Sequence, residues 1–152
     1  VTNFMTPAQK SCHEKIAPWI KEFFEQAFVP EPSEPLFVVP LGSAAAMIEV
    51  LPWGDNDSMI RTWSYVVTGV ELSSLLLHFL LRQNVAMSFG AFGIDDDGDI
   101  RFEHALVGST CDPNELCASV MAVLRAADHY DDEIVERWGG KRAVDRHLVA
   151  ID

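Results

Sequence analysis

The 152-residue chain carries a net charge of −12, with 49% hydrophobic and 22% charged residues. That length and composition suit one domain around a single core. The charge argues against a nucleic-acid partner, whose phosphates are neutralised by Lys and Arg, and no apolar run approaches the roughly 18–20 residues that cross a bilayer.

Thr6-Pro7 predicts a helix start, with Thr6 as cap and Pro7 where a missing N–H costs little. Ile16, Ile20, Phe23, Phe24 and Ala27 recur at helical spacing, and Pro18 is expected to kink the helix or restart it. The run from Pro30 to Pro35 reads as an extended, Pro-rich linker. Strands are expected at Phe37–Val39, Ala45–Leu51 and Met59–Thr68, with a turn at Pro52 to Asp57 and an antiparallel meander as the result. Alternation places Trp63, Tyr65 and Val67 on one face of the third strand and Thr62, Ser64 and Val66 on the other.

Leu72 to Arg82 reads as a second helix with more leucines than one buried stripe needs. Leu72, Leu75, Leu76, Phe79 and Leu80 fill one arc, whereas Leu77 and Leu81 fall on the opposite side. Either the helix is sandwiched in its own domain, or Leu77 and Leu81 form a dimer interface, since exposed leucines at this density are a liability. Phe89–Ile94 and Ile100–Val107 flank Asp97-Gly98, which supplies the left-handed turn of a tight hairpin. Asp112, Pro113 and Glu115 then form a capping box variant ahead of a long helix with a Leu116, Val120, Val123, Ala127, Ile134 and Trp138 stripe, which Gly139-Gly140 ends. The elements thus run α-β-β-β-α-β-β-α, an α+β order in one domain, 1–140, of which 1–35 are the N-terminal helix and linker. Residues 141–152 are expected to be a short tail.

No segment spells out a chemistry. Asp95, Asp97 and Gly98 match the interior of a calcium loop, but Gly93 and His104 stand where its end ligands belong and the flanks are strands. Glu103 and His104 point to opposite strand faces. His129, Asp132, Glu133 and Glu136 lack the further ligands of a metal site, so a solvated helix face is the simpler reading. Cys111, Cys117, Ser109 and Thr110 have no neighbouring base in a recognisable motif. Three cysteines without a CxxC spacing indicate neither a disulfide framework nor zinc, and a reduced, cytoplasmic setting is expected. The N-terminus also lacks the basic-then-apolar pattern of a signal peptide. No metal, cofactor or enzymatic activity is therefore expected.

Between Asp95 and Glu136 twelve acidic residues face only Arg101 and Arg125, which predicts a negative face that keeps the protein soluble or meets a basic partner. The positive binding signal is aromatic. Trp63 and Tyr65 share a strand face with Arg61, and Trp53 and Phe37 lie on neighbouring segments, so these five are the candidate binding residues, with core packing as the alternative role.

The element order, the segment from Phe92-Gly93-Ile94 to Phe102-Glu103-His104-Ala105-Leu106, the Gly108-Ser109-Thr110 turn and the stretch Ala127-Asp128-His129-Tyr130-Asp131-Asp132 together resemble the YbjN-like family. That family is similar in fold to type III secretion chaperones, and the resemblance spans roughly Phe37 to Gly140. It implies a small bacterial homodimer of α+β fold that holds a peptide or regulatory protein partner and catalyses nothing. A small-molecule sensor or cryptic enzyme, using a pocket between sheet and helices, is the alternative, and an enclosed cavity where His104 and acidic groups converge would favour it.

Overall fold

In the computed structural model, which describes residues 3–143, the local signals at the chain's start act as their residue types require. Thr6 Oγ accepts a hydrogen bond from the Gln9 N–H, Pro7 occupies the first turn, and α1 spans Pro7–Phe23. The helix runs through Pro18 without restarting. Both Pro18 and Glu14, whose carbonyl loses its partner there, are exposed, so water can satisfy the group that a buried proline would orphan.

The strands are β1 (Leu36–Leu41), β2 (Ala44–Trp53), β3 (Asp57–Thr68), β4 (Ala91–Ile94) and β5 (Ile100–Val107), all antiparallel in the order β1-β2-β3-β5-β4. The first three form the expected meander. Lys141–Arg142, at the start of the expected tail, form β6 against Val67 and Thr68 of β3, while 144–152 lie outside the described residues. The β3–β5 register shifts between Tyr65 and Val67, bringing Val67 opposite Ile100. Val67 therefore does not share the face of Trp63 and Tyr65, because the extra residue reverses the alternation beyond it.

Two helices complete the chain: α2 (Ser74–Ala86) and α3 (Pro113–Trp138). Asp112 caps α3 by accepting from the Glu115 N–H at 2.8 Å, and the helix ends at Gly139. Its expected stripe is buried from Leu116 to Ile134. The helix-covered face of β3 presents Ser58, Ile60, Thr62 and Ser64, all buried, and the Ser64 hydroxyl donates to the Ala45 carbonyl at 2.8 Å. That hydrogen bond offsets the burial of the Ser64 hydroxyl.

α2 is longer than its leucine run predicted, because nothing from Gln83 to Ala86 breaks a helix. Asn84 ties it to β4 by accepting from the Phe92 N–H at 2.6 Å and donating to the Phe92 carbonyl at 3.3 Å. The helix buries only Leu76 and Leu80 fully; Leu75, expected in the buried arc, is 75% exposed.

Two glycines act through geometry. Gly98 closes the β4–β5 turn at φ +81°. Gly90, at φ +83°, lies under Phe102, where an added Cβ would come within 2.5 Å of the ring and 2.9 Å of the Glu103 carbonyl oxygen. The buried Phe102 ring also meets Phe92 edge-on at 5.1 Å.

Candidate functional site

Alternation along the sheet separates two faces of different fate. On one, Phe37, Ile48, Thr62 and Phe102 are buried, and here the helices dock: His13 of α1 stacks on Phe37 at 4.4 Å, and His104 Nδ1 lies 2.7 Å from Ser119 Oγ of α3. The register fixes the other face. It brings Met47 beside Trp63, Trp63 beside Glu103, Tyr65 beside Arg101, and Leu51 beside Met59. These residues are half-buried, with Trp53 at the far end of β2 57% exposed. Among the described residues, the side-chain contacts that join α1 and α3 to strand side chains, His13 to Phe37, Tyr130 to Phe92 and Ser119 to His104, lie on the first face.

The open face therefore unites Arg61, Trp63, Tyr65 and Trp53 of the five residues expected from the sequence. Phe37 does not join them. Its neighbour Leu36 pairs with Glu49 on the open face, so Phe37 points the opposite way and is 4% exposed beneath α1. Its role is in the core.

Sequence reading missed Met47, Met59 and Arg101. The Arg101 guanidinium lies 4.9 Å from the Trp63 ring centroid and bonds Glu103 Oε2 through Nε at 3.0 Å and Nη2 at 2.6 Å. The arginine is thereby held against the indole by a carboxylate on its own strand. Alternation along β5 put Arg101 and Glu103 opposite Phe102 and His104, but only the β3–β5 register reveals that they flank Trp63.

The acidic hairpin turn is anchored to this face. Tyr65 donates its hydroxyl to Asp95 Oδ2 at 2.9 Å, and Asp95 Oδ1 accepts from the N–H groups of Asp97 and Asp99. Partial burial, followed by the bond to Asp95, raises the Tyr65 pKa. For Asp95 partial desolvation would raise the pKa, but the backbone donor of Asp99, the Tyr65 hydroxyl and the backbone donor of Asp97 together lower it. These carboxylate bonds fasten a turn and fix the tyrosine ring. The candidate nucleophile Cys111 is buried, which pushes its thiol up to about 11 and keeps it protonated near neutrality. Ser109 donates its hydroxyl to Asp57 Oδ2 at 2.9 Å and so closes the β5–α3 turn against the β2–β3 turn.

Burial also lowers the His104 pKa from its ordinary value of 6.5. Folding then favours the neutral ring, so His104 contributes stability that is present above its unfolded pKa and is lost as pH falls from there toward the folded value. Wild-type protein is expected to melt at lower temperature at pH 5.5 than at pH 7.5, and His104→Gln to show a smaller drop. His13, also lowered by burial, acts in the same sense, whereas Asp131, raised by burial, acts in the opposite one. The difference between variant and wild type in calorimetric pH series isolates His104, and equal slopes would show that its protonation costs nothing.

Residues 11–146 match the family described as "TY-Chap1: T3SS (YopN, CesT) and YbjN peptide-binding chaperone 1". No curated protein matches the chain. Among solved structures, a chain of the ExsC-ExsE complex superposes with a TM-score of 0.60 at 13% identity, covering 84% of this chain and 96% of that one. The shared fold is the α+β arrangement described above.

Proposed function

Because the chain belongs to the TY-Chap1 family of T3SS (YopN, CesT) and YbjN peptide-binding chaperones, we propose that it holds an extended segment of a protein partner on the open sheet face, without catalysing a reaction. The observation that carries this reading is the half-buried row of Met47, Trp63, Tyr65 and Met59, with Arg61 and Arg101 among them, on a face the docked helices leave free. Flat aromatic side chains contact a peptide at low entropic cost, and flexible thioether side chains adapt to different sequences. Acidic groups around the face and along α3 favour a peptide with basic flanks, through encounter more than through affinity.

The test is a methyl NMR titration with a terminally blocked peptide of alternating leucine and lysine. Saturable shifts are expected at the Met47 and Met59 methyl groups, with Met121 on α3 unmoved. Shifts confined to Met121, or none at any concentration, would remove the sheet face from this role.

The same reading makes the protein a cytoplasmic homodimer whose residues 1–140, together with β6, work as one unit. Leu81 is 65% exposed and Leu77 half-buried on α2, and with Phe92, Gly93 and Ile94 they line an apolar cleft of about 290 Å³. A second copy of α2 covers such a surface without a new partner. Replacing Leu77 and Leu81 together by serine is expected to yield monomers in sedimentation velocity. A wild type that is monomeric at high micromolar concentration overturns the dimer.

A further inference from the structure

A second cleft lies among the helices, away from the open sheet face. α2 and the last turn of α3 enclose about 590 Å³ between Leu75, His78, Phe79 and Arg82 on one side and Arg137 and Trp138 on the other. In a chain of net charge −12, two of its eleven Lys and Arg residues converge here. The Arg137 guanidinium lies 4.2 Å from the Trp138 ring centroid and 4.8 Å from that of Phe79, and the two rings are 4.9 Å apart. Cation–π contact of this kind positions the guanidinium against the two rings.

Arg137 pairs with Glu133, one turn earlier, through a single contact of 3.4 Å between two exposed side chains. Such a pair is weak and exchanges readily with a competing carboxylate. Arg82 is exposed and forms no ion pair among the described residues. Leu75, at the rim, supplies an apolar wall that a small inorganic anion would leave unused.

We propose that this cleft docks an acidic, apolar segment of a protein partner: one carboxylate bridges Arg82 and Arg137, and the adjoining apolar side chain rests on Leu75 and Phe79. The site is independent of the sheet-face reading. It uses different residues, and its ligand has the opposite charge.

The probe is a terminally blocked pentapeptide alternating leucine and glutamate, with the glutamine analogue as control, observed by NMR at the Trp138 indole N–H after assignment with Trp138→Phe. Saturable movement of the Trp138 signal is expected with the glutamate peptide, and about tenfold weaker binding for Arg82→Gln. Arg137→Lys keeps the charge but loses the stacked fork, so it is expected to weaken binding by a similar factor. Circular dichroism on both variants, whose substitutions are at exposed positions, checks that they fold.

Equal binding of the glutamine peptide, undiminished binding by Arg137→Lys, or movement at Trp63 instead of Trp138 overturns the proposal. Conversion of the Arg82→Gln variant to monomer, with no peptide response in the wild type, assigns the cleft to contact between copies and overturns it equally. Failure at Trp138 with normal shifts at Met47 and Met59 leaves the sheet-face reading standing, and the reverse result separates the two in the other direction.

Discussion

Phe102→Ala is expected to lower the stability of the fold by about 3–5 kcal/mol, the range typical of a buried phenylalanine truncated to alanine. Phe102 is 1% exposed on the helix-covered face of β5, meets Phe92 edge-on and lies over Gly90. Deleting its ring opens a cavity between the β4–β5 hairpin and α3. The backbone there cannot collapse cheaply, because β5 is paired on both sides, to β3 and to β4. With net stabilities of roughly 5–15 kcal/mol for natural domains, the loss is a large part of the total. It should appear in urea titration as a lower midpoint with an unchanged slope. A change below about 1 kcal/mol would mean that the aromatic pair is not part of the cooperative core.

Trp63→Ala is expected to have the complementary effect, weakening binding of the leucine–lysine peptide by about 30-fold, or ~2 kcal/mol, while leaving most of the stability intact. The indole stands on the open face between Met47 and Glu103 with Arg101 above it, so truncation removes contact area on which no described helix packs. Asp96→Asn, at an exposed hairpin position, should change affinity by less than about 1 kcal/mol because a solvated charge is screened. Calorimetric titration of both variants, after circular dichroism confirms that each folds, decides the order. If the charge variant loses more, or if Trp63→Ala unfolds, the aromatic row serves the fold and not a partner.

Local chemistry made much of this architecture legible in the sequence. Thr6-Pro7 and Asp112-Pro113 mark helix starts because a side-chain acceptor and an absent N–H suit an unpaired first turn, and both caps form where expected. Asp97-Gly98 marks the hairpin because glycine adopts the left-handed conformation without a Cβ clash, and Gly98 has the corresponding φ. The family resemblance, carried by packing and turn residues, pointed to the chaperone-like fold. Alternation likewise placed Arg61, Trp63 and Tyr65 together, since neighbours on a strand diverge and alternate residues converge.

What alternation cannot specify is which face a helix will cover, or which residue stands opposite on the next strand. Phe37 and Trp63 are both aromatic residues on strands of one meander, yet α1 buries the first and the sheet presents the second. That choice depends on the summed burial of all helices against all strands, a non-local quantity. The shift between Tyr65 and Val67 reverses a face through pairing with β5, more than thirty residues away in sequence. The Arg101–Trp63 stack and the cleft between Arg82 and Arg137 arise in the same way. Composition and spacing determined the elements and their order; the docking of helices on one side of a twisted sheet determined which charges and rings meet, because only long-range packing brings distant segments within a few ångströms.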